Sequence, residues 1–407
     1  MPVLKNIGQL ATCRDKGNQA DIYCIESAAI AWDGDTIVWV GEESKLPEQY
    51  KSEQEFNAEG KLVIPGLIDC HTHLAFGAWR ADEFQMRVLG KSYLEIQQAG
   101  GGISSTVEHT RSASEQELVE KCLGHLSKIA KLGVTTIEAK SGYGLELEAE
   151  LKLLRVYRTL GELQPVSIVP TFLGAHLVPA EYKDKRENYI DLLINEMLPA
   201  IAEEGLAEFC DIFVEKGAFS ADEARLVIEA ADEYELIPKL HVDQLSDGAG
   251  AALAAELGAI SADHLEHASD EGILLMKEAE VVAVTLPLAS MYTFETPLNA
   301  RRFIDKDVPV AVATDFNPGS APSFHLPLAM LLACTLNRMT PEESLKGATA
   351  YAAQAVDRGS LIGSIQAGKR ADFVVIDAPS VNQWIYNFQA NQALKVFKEG
   401  IVIAEQQ

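Results

Sequence analysis

Eight short apolar segments, separated by stretches with helical signals, constrain the fold of this 407-residue chain more than any other feature. They are VIPGLIDCHTH (63–73), TTIEAKSGYG (135–144), SIVPTFLGAH (167–176), CDIFVEKGAF (210–219), IPKLHVDQ (237–244), AISADHLEH (259–267), VVAVTLP (281–287) and VPVAVATDFN (308–317). Each is short enough to be a buried strand. Capping-box pairs mark helix starts at Ser114 with Glu117, Ser220 with Glu223, and Thr340 with Glu343. Strands that alternate with helices predict a parallel sheet.

Eight strand–helix units over about 300 residues have the count and size of a (β/α)8 TIM-like barrel. A doubly wound open sheet is the alternative fold. It is disfavoured because no G-x-G-x-x-G motif follows an early strand. The missing glycine motif also argues against a nicotinamide-dependent dehydrogenase. The α/β class with a barrel is therefore the predicted architecture.

The two ends of the chain differ from this middle region and have strand signals. DIYCIESAAIAWDGDTIVWVG near the start contains a hairpin signal at Asp33-Gly34, and ADFVVIDA and ALKVFKEGIVIAE lie near the end. Chain termini often lie close together, so we expect the two ends to form one small β-sandwich. The predicted division is residues 1–64 for its first part, 65–367 for the barrel and 368–407 for its second part.

Charge and cysteine usage limit the possible partners and compartment. The chain has 34 Lys and Arg against 60 Asp and Glu, so its net charge is −26, which argues against nucleic acid and anionic membranes as partners. No apolar run reaches the length of a transmembrane helix, and the N-terminus lacks the apolar region of a signal peptide. The six cysteines form no C-x-x-C pair, which predicts reduced thiols, a cytoplasmic protein and no cysteine-based zinc site.

Polar side chains follow most of the predicted strands, at the barrel end where chemistry is expected. His71 and His73 are two residues apart on a strand, so both side chains share one face. By itself an H-x-H pair is as well explained by two solvated loop histidines. His241 and Asp315 at two other strand ends favour a metal site, because three imidazoles and one carboxylate suit zinc or iron and leave room for water.

His264 ends another strand. It can be interpreted as a metal ligand, a residue that contacts a metal ligand, a general base or a structural histidine. A hydrolytic reaction needs a group that accepts a proton and returns it to the leaving atom. Asp315 and His264 are the candidates for this catalytic role. The other histidines considered are assigned structural or surface roles: His109, His125, His267 and His325.

PGLIDCHTH, the later His241 and His264, TDFNPGS and the late GSIQAGKRADFVVID together resemble the metal-dependent amidohydrolase superfamily. A narrower set of motifs is similar to the imidazolonepropionase family: HTHLAFGAWRADEF, AGGGISSTV, TTIEAKSGYG, PTFLGAH and ATDFNPGSAPS. This likeness covers nearly the whole chain. It implies metal-dependent hydrolysis of the cyclic C–N bond of 4-imidazolone-5-propanoate to N-formimidoyl-L-glutamate, a step of histidine degradation.

The resemblance also implies roles for individual residues. One Zn²⁺ or Fe²⁺/Fe³⁺ ion per subunit would be held by His71, His73, His241 and Asp315. The positions that match substrate contacts are Arg80, Tyr143, His176, Gln244, Asn317, Gly319 and Ser320. Arg80 has the side chain that pairs bidentately with a carboxylate, although by sequence alone it reads as a surface arginine. Gln244 matches a position where some relatives carry Glu, and an amide cannot transfer a proton as a carboxylate does.

The expected partner is therefore a small-molecule substrate with a carboxylate, and the expected assembly is a homodimer. Another amidohydrolase activity, such as a deaminase or a cyclic-ureide hydrolase, is the main alternative. A two-metal version would need a carboxylated lysine near the end of the fourth strand, where Lys216 lies. A non-catalytic scaffold is a further alternative, but such a protein would be expected to lose its metal ligands, and all four are present.

Overall fold

The computed structural model describes residues 1–51, 54–91, 95 and 101–406. Ala99 and Gly100, which begin the AGGGISSTV motif, lie outside the described residues. The strands among the described residues are β1 (Val3–Ala11), β2 (Cys24–Asp33), β3 (Thr36–Glu42), β4 (Glu55–Asn57), β5 (Leu62–Pro65), β6 (Leu67–Asp69), β7 (Val134–Lys140), β8 (Ser167–Ala175), β9 (Phe209–Val214), β10 (Ile237–Val242), β11 (Ser261–His264), β12 (Val282–Thr285), β13 (Val310–Val312), β14 (Phe373–Ile376), β15 (Ala393–Lys398) and β16 (Ile401–Glu405).

Strands β6 to β13 form one parallel sheet in sequence order. The sheet closes on itself beyond its first and last strands, where the Asp315 backbone N–H donates to the His71 carbonyl at 3.1 Å. The His73 N–H donates to the Phe316 carbonyl at 2.8 Å. This confirms the predicted TIM-like barrel, and each of the eight predicted segments overlaps one of its strands.

The first predicted segment is divided between the two sheets at Gly66. β5 belongs to the sheet of the chain ends and β6 to the barrel. A Cβ atom on residue 66 would lie 2.4 Å from Thr135 Oγ1, so only glycine lets the chain pass this close to β7. The switch places His71 and His73 directly beyond the short strand β6.

The two chain ends form a second sheet, in the order β16-β15-β14-β5-β1-β2-β3, with β4 paired to β1. The two ends meet where β5 and β14 pair antiparallel. Aromatic rings of Trp32, Phe56, Phe373 and Phe397 pack together in its core, with centroids 4.5–5.7 Å apart. The predicted hairpin turn is confirmed, since β2 and β3 join at Asp33-Gly34. The domain limits at 64/65 and 367/368 stay a prediction.

Helices surround the barrel and follow its strands. They are α1 (Ala81–Val88), α2 (Ile103–Ser112), α3 (Glu115–Lys131), α4 (Leu147–Leu163), α5 (Arg186–Leu192), α6 (Leu198–Glu204), α7 (Ala221–Asp232), α8 (Gly250–Glu256), α9 (Asp270–Glu278), α10 (Pro287–Thr293), α11 (Arg301–Ile304), α12 (Leu326–Thr335), α13 (Pro341–Lys346), α14 (Ala352–Ala355) and α15 (Val381–Tyr386). All three predicted capping boxes are present. Within the described ranges, no helix combines the length and apolar character that crossing a membrane requires.

Asp69 joins the first and last strands of the barrel. Its buried carboxylate accepts hydrogen bonds from the Thr314 backbone N–H at 3.0 Å and the Thr314 hydroxyl at 2.6 Å.

Asp69→Ala leaves two buried donors without an acceptor, and each unpaired donor costs about 1–3 kcal/mol. We expect urea unfolding to show a loss of about 2–4 kcal/mol. Asp305→Ala, at an exposed ion pair with Arg301, is the control and should change stability by less than about 0.5 kcal/mol. Equal unfolding midpoints for the two variants would contradict this role.

Candidate active site

The four predicted metal ligands meet at the carboxyl end of the barrel. His71 and His73 follow β6, His241 lies in β10 and Asp315 follows β13. The ring centroid of His71 lies 4.5 Å from that of His241, and the centroid of His73 lies 5.7 Å from it. Asp315 Oδ1 is 3.5 Å from the Nε2 atoms of both His71 and His73. All four side chains are buried.

Burial sets the charge state of this donor cluster. It lowers the pKa of His71, His73 and His241 well below the usual histidine value, and neighbouring histidines and Lys140 add to the effect. The three rings are therefore neutral, which is the state that ligates a metal. Burial raises the pKa of Asp315 to about 7.

Two aspartates orient two of the rings. Asp263 Oδ2 lies 2.6 Å from His71 Nδ1, and Asp211 Oδ1 lies 3.0 Å from His241 Nδ1. Because an ionised carboxylate only accepts hydrogen bonds, each Nδ1 carries the proton and each Nε2 carries a lone pair. Both Nε2 atoms are buried and lack a hydrogen-bond partner in the structure. Unpaired buried nitrogens held in this way fit a metal ion.

A buried ammonium group links these aspartates. Lys140 Nζ lies 2.6 Å from Asp211 Oδ2, 2.9 Å from Glu138 Oε1 and 3.5 Å from Asp263 Oδ2. Burial lowers the pKa of Lys140, but the three carboxylates outweigh it and raise the pKa above its usual value. Sequence reasoning did not assign a role to this group. The available signal was the spacing of Glu138 and Lys140, whose charges fall two residues apart on one strand and so share its inner face.

His264 ends β11 and lies close to two of the three histidines. Its ring centroid lies 5.5 Å from that of His241 and 5.8 Å from that of His71. Burial lowers the pKa of His264, but Glu266, whose Oε2 lies 3.8 Å from Nδ1, outweighs it and raises the pKa. His264 and Asp315 have φ of +80° and +54°. Left-handed backbone at non-glycine residues is strained and is found preferentially at functional sites.

Tyr143 and His176 lie beside His73. The centroid of the His176 ring is 5.2 Å from that of His73, and the centroid of the Tyr143 ring is 5.4 Å from each of the two histidine rings. His176 Nδ1 lies 3.0 Å from the Gly142 carbonyl oxygen. Burial lowers the pKa of His176 to about 4, so this ring is also neutral near pH 7.

Arg80 lies directly against Gly319 and is buried, with 7% of its side chain exposed. A Cβ atom on residue 319 would lie 1.3 Å from Arg80 Nη2, so only glycine leaves room for the guanidinium group. Glu83 Oε2 is 3.6 Å from Arg80 Nε, yet Nε and Nη1 have no hydrogen-bond partner. Buried N–H groups without acceptors suit a carboxylate ligand.

Asn317 shapes the loop that carries Asp315 and Gly319. Its amide nitrogen donates to the Asp315 carbonyl at 2.7 Å and to Ser320 Oγ at 2.8 Å. Its Oδ1 accepts from the backbone N–H groups of Gly319 and Ser320, both at 2.8 Å. Asn317 and Ser320 are thus brought to the edge of the cluster by contacts within the loop.

Two residues named from the sequence do not join this cluster. Gln244 is half-buried beyond the end of β10, and in the described part of the chain no hydrogen bond or ion pair joins it to the histidines. Lys216 is exposed, whereas a carboxylated lysine that bridges two metals would have to lie among the ligands. The exposure of Lys216 argues against the two-metal alternative.

Comparison with known proteins adds independent observations. The model of the amidohydrolase family matches residues 62–403. An imidazolonepropionase of Geobacillus sp. (strain WCH70) is 44% identical, covering 99% of this chain and 97% of the relative. One of Fusobacterium nucleatum is 47% identical, covering 98% of each. Among solved structures, a 5-methylcytosine deaminase from Klebsiella pneumoniae aligns with a TM-score of 0.77 at 14% identity, covering 100% of this chain and 98% of the deaminase. A zinc-bound adenosine deaminase from Xanthomonas campestris aligns with a TM-score of 0.74 at 16% identity, covering 100% of this chain and 93% of the deaminase.

Proposed function

The chain belongs to the amidohydrolase family and, within it, to the imidazolonepropionases, and from this premise we propose that it hydrolyses 4-imidazolone-5-propanoate. Water opens the cyclic C–N bond, and the product is N-formimidoyl-L-glutamate. The observation that carries the proposal is the buried cluster of three neutral histidines and Asp315. In the same site lies the Arg80 guanidinium, whose Nε and Nη1 have no hydrogen-bond partner. The first supplies donors for a metal ion, and the second matches the carboxylate of the substrate.

We propose that His71, His73, His241 and Asp315 hold one Zn²⁺ or Fe²⁺/Fe³⁺ ion. The unpaired Nε2 atoms of His71 and His241 support this ligand set, as does the zinc bound in the structurally similar adenosine deaminase. When bound, such an ion supplies Lewis acidity that lowers the pKa of water. Proton transfer and substrate binding are assigned to side chains of this protein.

His264 and Asp315 are proposed to share the proton transfers. Asp315 lies at the donor cluster, where a carboxylate can accept a proton from water and return it. The proton taken from water passes to the leaving ring nitrogen as the C–N bond breaks. Gln244 carries an amide and cannot take this role, so it is proposed as a substrate contact only.

Arg80 is proposed to bind the propanoate, while Tyr143 and His176 contact the ring beside His73. Asn317, Gly319 and Ser320 are proposed to contact one end of the bound substrate or product. The net charge of −26 opposes an anionic substrate at long range. Binding therefore depends on local positive charge in the site.

We also propose a cytoplasmic homodimer that binds neither nucleic acid nor membranes, divided at 64/65 and 367/368. All six cysteines are free thiols, which fits a reducing compartment. The switch of sheets at Gly66 and the start of β14 at Phe373 support the division. The dimer rests on the family resemblance alone, and light scattering of the purified protein tests it.

A substrate panel separates this proposal from the alternative of another amidohydrolase. The metal-loaded protein is given 4-imidazolone-5-propanoate, cytosine, adenosine and hydantoin in parallel. We expect turnover of the first compound at a rate well above the others. Ammonia release from cytosine or adenosine, or opening of hydantoin at a higher rate, would favour the alternative.

Asp263→Asn tests how the metal ligands are held. The asparagine amide can donate a hydrogen bond to His71 Nδ1, which Nδ1 accepts only when it carries no proton. The proton then lies on Nε2, and Nε2 cannot bind a metal. We expect zinc affinity, measured by competition with a chelator, to fall about 10–100-fold. Asp372→Asn, a buried aspartate paired with Lys398 in the sheet of the chain ends, is the control and should keep wild-type affinity. Equal zinc affinity for both variants would show that Asp263 does not orient His71 for the metal.

A further inference from the structure

The loop between β7 and α4, which carries Tyr143, is built around one buried carboxylate, that of Glu150. Glu150 Oε1 accepts hydrogen bonds from the backbone N–H groups of Gly144 at 2.7 Å and Leu145 at 2.8 Å. The Gly142 N–H donates to both oxygens, at 3.0 Å to Oε2 and 3.2 Å to Oε1. The carboxylate is fully buried. Three backbone donors within four consecutive residues thus converge on one side chain.

The backbone of this loop includes left-handed conformations, which these hydrogen bonds stabilise. Gly142 has a φ of +97°, and Leu145, which is not glycine, has a φ of +52°. A Cβ atom on residue 144 would lie 2.8 Å from Glu150 Oε1 and 2.6 Å from the Ala149 carbonyl carbon. Glycine at 144 therefore lets the loop approach the carboxylate, which accounts for part of the SGYG motif.

The loop in turn fixes the state of His176. The Gly142 carbonyl can only accept a hydrogen bond, so His176 Nδ1, at 3.0 Å, carries the proton and Nε2 carries a lone pair. The space around Gly142 is tight, since a Cβ atom there would lie 3.1 Å from His176 Nδ1. The conformation that Glu150 holds thus determines both where Tyr143 lies and which tautomer His176 adopts.

We propose that Glu150 is a positioning residue for substrate recognition. It acts through the backbone of residues 142–145 on Tyr143 and His176. The inference rests on the proposed function, in which these two residues contact the substrate. Glu150 has no contact with the four metal ligands among its hydrogen bonds, so its role is separate from the metal centre.

Glu150→Ala tests this role by steady-state kinetics with 4-imidazolone-5-propanoate. We expect KM to rise about 10–100-fold, because the contacts of Tyr143 and His176 are displaced. We expect kcat to stay within about threefold of wild type, because these contacts bind ground state and transition state alike. Metal content per chain should be that of the wild type.

Glu343→Ala is the matched control. Glu343 is also a buried carboxylate that accepts a backbone N–H, that of Thr340 at 2.7 Å, but it lies at the start of α13 away from the ligands. Its variant should lose stability and keep the wild-type KM. A rise in KM shared by both variants would reduce Glu150 to a general structural role and overturn the inference.

Glu150→Gln keeps the test decisive if the alanine variant does not fold. The amide oxygen can retain the bonds from Gly144 and Leu145 and the longer bond from Gly142, but the amide nitrogen cannot accept the shorter bond from Gly142. We expect a KM between those of the wild type and the alanine variant. An unchanged KM, or a fall in kcat alone, would overturn the inference. Absence of turnover by the wild type would instead remove the proposed function on which it rests.

Discussion

His241→Ala is expected to lose both bound metal and turnover. The substitution removes one of three imidazole donors and leaves Asp211, which holds His241 Nδ1 at 3.0 Å, without its partner. Metal content should fall from about one ion per chain to below about 0.1. Turnover should fall at least about a thousandfold, because Lewis acid catalysis supplies several kcal/mol of the lowered barrier.

Metal content is measured by mass spectrometry after desalting, and turnover by loss of substrate absorbance. His109→Ala is the control, since His109 is an exposed histidine in α2 whose Nδ1 contacts the Ser105 carbonyl. It should retain both metal and turnover. Full activity in His241→Ala would refute its assignment as a ligand.

Arg80→Ala is expected to discriminate between substrates by their carboxylate. A buried guanidinium that pairs bidentately with a carboxylate contributes about 1.5–3 kcal/mol, so kcat/KM for 4-imidazolone-5-propanoate should fall about 10–100-fold. An analogue that lacks the propanoate should change by less than about threefold, because it does not use this contact.

Gly319→Ala provides a second route to the same result. The added methyl group would overlap Arg80 Nη2 and displace the guanidinium without removing its charge. We expect the same selective loss. Arg225→Ala, at an exposed ion pair with Glu256, is the control and should be neutral. Equal loss for substrates with and without the propanoate would exclude Arg80 as its binding residue.

Two features could be predicted because they depend on strand periodicity. They are the barrel and the cluster formed by His71, His73, His241 and Asp315. Residues two apart share a face, and the ends of parallel strands share one edge of the sheet. The partners Asp211 and Asp263 could not be predicted in the same way. Which aspartate contacts which histidine depends on the register and curvature of a closed sheet. Neither can be predicted from the local sequence pattern.

Glu150 shows a second limit of sequence reasoning. In the sequence it is one of several glutamates in an acidic helical stretch, where a solvated side chain is the natural interpretation. Its role depends on left-handed backbone at Gly142 and Leu145, which turns three N–H groups towards it. Gly319 is similar, because the need for glycine arises from the position of Arg80 in three dimensions.

The most direct test of the proposed activity is product analysis in ¹⁸O-labelled water. Purified, metal-loaded protein is incubated with 4-imidazolone-5-propanoate, and the products are identified by mass spectrometry and NMR. We predict one N-formimidoyl-L-glutamate for each substrate consumed, with one ¹⁸O atom incorporated and no ammonia released. Unchanged substrate, or a deaminated product, would contradict the proposal.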